Sequence, residues 1–192
     1  MKVGRLVMQL ALPIGGMLVA TGFFPMHVLA QDHSAHADGA PSQSGALVKI
    51  VRQATERFRD VSVAENEGYA LQFGCVSGPD LGAMGLHYVN FPLVLDGELD
   101  PERPEIVLYE AQPNGRLKMT GADFLVLKDA WDAKHPEGPP QIMGQLLHLF
   151  EAPNRFGLPP FYTLHVWAWK DNSNGMFVNW HPKVSCDSFD PR

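Results

Sequence analysis

Three histidines and one glutamate in this chain stand where the surrounding pattern expects apolar side chains: His87, His148, His165 and Glu110. Imidazole nitrogen and carboxylate oxygen are ligands that zinc, copper, manganese and iron share, so the four together make a divalent-metal set. No two of them lie at the spacing of a local metal motif, so a shared site requires the fold to bring distant segments together. Trp167 and Trp169 follow His165 at alternate positions, and two indoles on the histidine's face would line a pocket for a small apolar ligand. In an enzyme, a metal there would activate water or dioxygen, or Glu110 and a histidine would serve as base and acid. The competing reading is a non-catalytic envelope protein, in which the histidines are hydrogen-bonded core residues and the indoles are packing.

The elements that must position these residues are mostly strands. Phe161–Trp169 alternates His165, Trp167 and Trp169 on one face with Leu164, Val166 and Ala168 on the other, the period of an extended chain. The polar turn from Asp171 to Gly175 predicts a hairpin that returns over Met176–Trp180. Upstream, Leu86–Leu95, Glu105–Ala111, Leu117–Thr120 and Phe124–Leu127 read as further strands, with a hairpin turn at Pro113-Asn114-Gly115. The glycines around residues 73–85 predict loops, as do the prolines between residues 152 and 160. His181, beside Pro182, reads as a loop residue. One helix is plain: Leu47, Ile50, Val51, Ala54 and Phe58 recur at three- and four-residue intervals opposite Lys49, Arg52 and Gln53, with Ser44 as N-cap. A short helical piece is expected near Val63–Gly68. There is no alternation of strand and helix, which excludes a doubly wound parallel sheet. The expected fold is α+β and mainly antiparallel: a curved sheet or small barrel with the N-terminal amphipathic helix packed outside.

Lys2 and Arg5 precede an uncharged apolar run, and Val28-Leu29-Ala30 ends it with residues suited to a signal peptidase. Residues 1–30 therefore read as a signal peptide cleaved after Ala30, residues 31–44 as a flexible linker and residues 45–192 as one β-rich domain. The linker's His33 and His36 read as part of a solvated spacer. Removal of Lys2 and Arg5 takes the formal charge from −6 to −8, which argues against nucleic acid and anionic membranes as partners. No later run is long enough to span a bilayer, so the expected location is periplasmic or secreted. In such a compartment Cys75 and Cys186, without CxxC spacing, predict a disulfide. No P-loop, GxSxG, HExxH or EF-hand pattern occurs.

The segments DVSVAENEGY, GCVSGPDLGAMGLHYVN, PEIVLYE and HVWAWKDNSNGMFVNWHPKVSC resemble a family of small exported bacterial proteins of unknown function. That resemblance implies export and a single domain. A second resemblance, to cupins, runs through the glycine-led His87-Tyr88 and through Gly157-Leu158-Pro159-Pro160 ahead of His165. The paired HxH and nearby glutamate of cupins are missing at His87.

Overall fold

The structure, a computed structural model, describes residues 43–191. The expected signal peptide over residues 1–30, most of the expected linker, and His33 and His36 lie outside the described residues. Helix α1 (Gln43–Thr55) already includes Gln43 and Ser44, so Ser44 is not its cap. Leu47 and Val51, one turn apart, are fully buried, while Arg52 and Gln53 face solvent. A 3₁₀ turn (Glu56–Arg59) and helix α2 (Val61–Asn66) continue the layer, with Asp60 capping α2 through the Ser62 N–H.

Beyond these helices the chain builds an α+β architecture on one antiparallel sheet of six strands curled into a half-barrel, as its pattern predicts. In chain order the strands are β1 (Ala70–Gly78), β2 (Gly82–Val89), β3 (Ile106–Ala111), β4 (Leu117–Leu127), β7 (His148–Phe150) and β8 (Phe161–Val166). The spatial order is β1-β2-β3-β4-β8-β7, and a separate small ribbon pairs β5 (Gln141–Ile142) with β6 (Gln145–Leu146). β4 is the long central strand: β3 borders it on one side and β8 on the other.

Alternation divides the sheet into two unlike faces. On the helix-covered face, Leu47 and Val51 of α1 pack with Phe124 and Val126 of β4 and with Leu164 and Val166 of β8. Phe58, Ala64 and Tyr69 pack with Leu86, Tyr88, Val107 and Tyr109 beside them. Two hydroxyls tie this layer to the backbone, Tyr109 donating to Phe58 O at 2.6 Å and Tyr69 to Pro104 O at 2.7 Å. Full burial of a side chain such as Phe58 contributes roughly 1.5–3 kcal/mol. The opposite face carries Ile106, Leu108, Leu125 and Phe161, with Val94 of helix α3 (Phe91–Asp96) and Phe156 and Leu158 of the loop over residues 151–160 packed on it.

Several elements differ from their sequence pattern for local reasons. The predicted strand Leu86–Leu95 breaks at Asn90, because Pro92 belongs to the first turn of α3, where its missing N–H is not needed. Leu117–Thr120 and Phe124–Leu127 join into the single strand β4, since Gly121 admits close approach by β8: a Cβ there would lie 2.2 Å from Val166 O. The glycines of residues 73–85 lie within the β1–β2 hairpin, whose pairing shifts register twice. The short helix α4 (Lys128–Lys134) follows β4 directly. The returning strand over Met176–Trp180 is absent. After Val166 the chain bends tightly, Ala168 N donating to Val166 O at 2.8 Å, and the returning chain meets the sheet as a single bridge, Ala83 to His181.

Candidate metal-binding site

Register creates the site. On β8, Phe161, Thr163 and His165 point away from the helices, and His165 stands directly opposite Asp123 of β4. Two strands across, β2 presents His87 opposite Leu108 of β3. β2 bulges just before it: Gly85 has φ +92°, and a Cβ there would lie 2.5 Å from Tyr109 O. His87, Asp123 and His165 are all buried, and each offers a ligand atom within 4.8 Å of the others. The two imidazole centroids are 5.7 Å apart.

Each ring has one nitrogen already engaged. His165 Nδ1 lies 3.1 Å from Asp123 Oδ2, and Thr163 Oγ1 donates to Asp123 Oδ1 at 2.6 Å. His87 Nδ1 lies 3.2 Å from Gly85 O, a contact that requires the proton on Nδ1 because a carbonyl can only accept. By the same rule the carboxylate places a proton on His165 Nδ1. A neutral His87 then carries its lone pair on Nε2, and His165 Nε2 is buried without a hydrogen-bond partner. This is the outer-shell pattern of metal-binding histidines, in which the second ring N–H is held by a carboxylate or a backbone carbonyl.

The electrostatics agree with ligand duty. Burial, reinforced by His165, drives the His87 imidazole down to about 4 against the pull of Asp123, so it is neutral at neutral pH. Burial alone would raise the Asp123 carboxyl; His165 and the Thr163 hydroxyl outweigh it and hold the group below its ordinary range. Glu105, also buried, goes the other way. Desolvation lifts it well above its ordinary range despite the N–H of Leu125 at 3.0 Å, with Asp123 adding to the rise. The two buried carboxyls are therefore shifted in opposite directions, Asp123 down and Glu105 up.

His87, Asp123 and His165 border a cavity of about 20 Å³ whose other walls include Phe156, Phe161 and Leu125. That is room for one water-sized occupant. Phe156 stands over His87 with centroids 6.5 Å apart, and Phe73 packs edge-on against Phe156 at 5.3 Å. The donor set fits a single ion from the group zinc, copper, manganese and iron, all of which accept imidazole nitrogen beside oxygen.

Of the four ligands expected from the sequence, the structure brings together two, His87 and His165. Glu110 instead pairs with Lys170 Nζ at 2.6 Å and accepts from Ser185 N, so it fastens the C-terminal segment. His148 is exposed on the edge strand β7. The indoles do not line the cavity. Trp167 is buried against His165 and His181, its Nε1 donating to Val178 O at 2.6 Å. Trp169 packs toward the helices, its Nε1 on Thr55 Oγ1 at 3.0 Å. His181 has both nitrogens engaged, with Asp171 O and with Lys183 N. The residue that sequence reasoning missed is Asp123. Its signal was a carboxylate inside Ala122–Leu127, hidden because Gly121–Asp123 looked like a break between two strands.

Cys75 and Cys186 form a disulfide, the kind of bond that persists in oxidising compartments. Among the described residues no helix is long and apolar enough to cross a membrane. No family model matches the chain, and comparisons with curated proteins and with solved structures return no match either.

Proposed function

We propose that this is an exported metal-binding protein holding one divalent transition-metal ion between the Nε2 atoms of His87 and His165. Asp123 orients His165 and supplies negative charge beside the ion. The observation that carries this reading is the buried, unpartnered Nε2 of His165, a residue that lines a one-ion cavity together with His87. Desolvation of such an atom without a partner costs about 1–3 kcal/mol, which an ion would return as a coordinate bond. His87 need lose no proton to bind, because it is already deprotonated well above pH 4. With two protein nitrogens fixed and the mouth lined by phenylalanine, positions remain on the ion for a small exogenous ligand. An oriented general base uses the same Asp–His arrangement, but a space of about 20 Å³ suits an ion better than an organic substrate. Export follows the N-terminal pattern and agrees with the disulfide.

The test is titration of the purified protein with Co²⁺, followed by visible absorption. The reading expects saturation at one equivalent in the wild type and loss of the band in His165→Ala. Equal binding by His165→Ala would refute it.

A further inference from the structure

Among the described residues four buried side-chain atoms lack a hydrogen-bond partner, and two of them, His165 Nε2 and Asn179 Oδ1, belong to residues that line the same small cavity. Buried polar atoms are paired in the great majority of cases, so two orphans on one space of about 20 Å³ point to an occupant that meets both. Asn179 lies outside regular structure, yet its neighbours on both sides are hydrogen-bonded. On one side, Val178 O accepts from Trp167 Nε1 at 2.6 Å. On the other, Trp180 O accepts from Asn172 Nδ2 at 2.9 Å, and His181 pairs with Ala83 through both backbone groups. The backbone is pinned before and after Asn179 while its amide oxygen is buried without a partner, which is how a preorganised ligand is presented.

We infer that Asn179 is the third protein ligand of the ion, binding through its amide oxygen. The inference rests on the metal reading proposed above and extends it to a two-nitrogen, one-oxygen set. All three ligands are neutral, so Asp123 behind His165 is the nearest compensating carboxylate. Such a set suits borderline and hard divalent ions, Zn²⁺, Fe²⁺ or Mn²⁺, more than Cu⁺, which favours sulfur. Met84 lines the same cavity and is the competing third donor. Its thioether would reverse that preference.

The experiment measures Co²⁺ and Zn²⁺ dissociation constants by chelator competition for the full exported chain in four forms: wild type, Asn179→Ala, Asn179→Asp and Met84→Leu. The expected result is 10–100-fold weaker binding by Asn179→Ala, with a changed Co²⁺ spectrum and an unmoved melting temperature of the metal-free protein. Asn179→Asp, which keeps an oxygen donor, should recover the affinity, and Met84→Leu should bind as the wild type does. Unchanged affinity and spectrum in Asn179→Ala, or a loss confined to Met84→Leu, would overturn the assignment while leaving the metal site standing. Absence of binding by the wild type would overturn both.

Discussion

His165 and Asp123 face each other in direct register across β8 and β4, with Nδ1 3.1 Å from Oδ2 and both side chains nearly inaccessible to solvent. Thr163, two residues before His165 on the same strand, holds the other carboxylate oxygen. Each carboxylate oxygen thus has a donor, and the imidazole is held through Nδ1.

Asp123→Asn keeps the shape but cannot serve both donors as the carboxylate does. Metal affinity should fall about 10–100-fold, the usual cost of losing an outer-shell partner. The metal-free protein should lose roughly 1–3 kcal/mol as a buried donor goes unmet. Asp123→Ala, which strips both donors, should cost more. Chelator competition and urea unfolding measure the two effects separately.

Acid should unfold the metal-free protein in a predictable window. His87 takes its proton at about 4 when folded against 6.5 when free, so between those values the unfolded chain binds a proton that the folded chain refuses. Stability from this group is therefore complete above pH 6.5 and declines as pH falls toward 4, by about 3 kcal/mol in all. Asp123, held below its ordinary range, acts in the same direction at still lower pH. In His87→Gln, unfolding followed from pH 7 to pH 4 should show a much shallower fall than in the wild type.

Gly121→Ala places a methyl 2.2 Å from Val166 O, where β4 and β8 meet. The strands must separate there, two residues from Asp123. The expected outcome is a loss of several kcal/mol and weaker metal binding in whatever folds, read by thermal unfolding with and without Zn²⁺.

Much of this was legible beforehand because burial writes a period into the chain. Phe161–Val166 is buried at every position, yet its side chains divide between the two faces as the sequence predicts, and Leu47, Val51 and Phe58 mark the helical face that covers the sheet. His87 and His165 stood out for the same reason, as polar side chains on an apolar period. Glu110 carried an identical signal but answers to Lys170, a partner sixty residues away that no local pattern announces. Asp123 was hidden by Gly121, which reads as a breaker yet serves as a point of close strand contact. Asn179 lies in irregular chain, where period has no meaning and only tertiary bonds set position.

The disulfide closes the same architecture at its far end, joining β1 to the C-terminal segment that carries Asn179. A Cys75→Ser/Cys186→Ser protein should be less stable by about 4–5 kcal/mol, the chain-entropy value for a loop of this length. Urea midpoints of the double variant and the wild type give the number directly.

The most direct measurement is elemental analysis of the protein purified without an affinity tag from cells that export it, beside a His87→Ala/His165→Ala variant of equal solubility and melting behaviour. The wild type should carry close to one equivalent of a transition metal and the variant essentially none. Equal metal content in both, or a folded wild type that neither carries metal nor takes it up on dialysis, would contradict the metal reading and leave the two histidines as structural residues of an envelope protein.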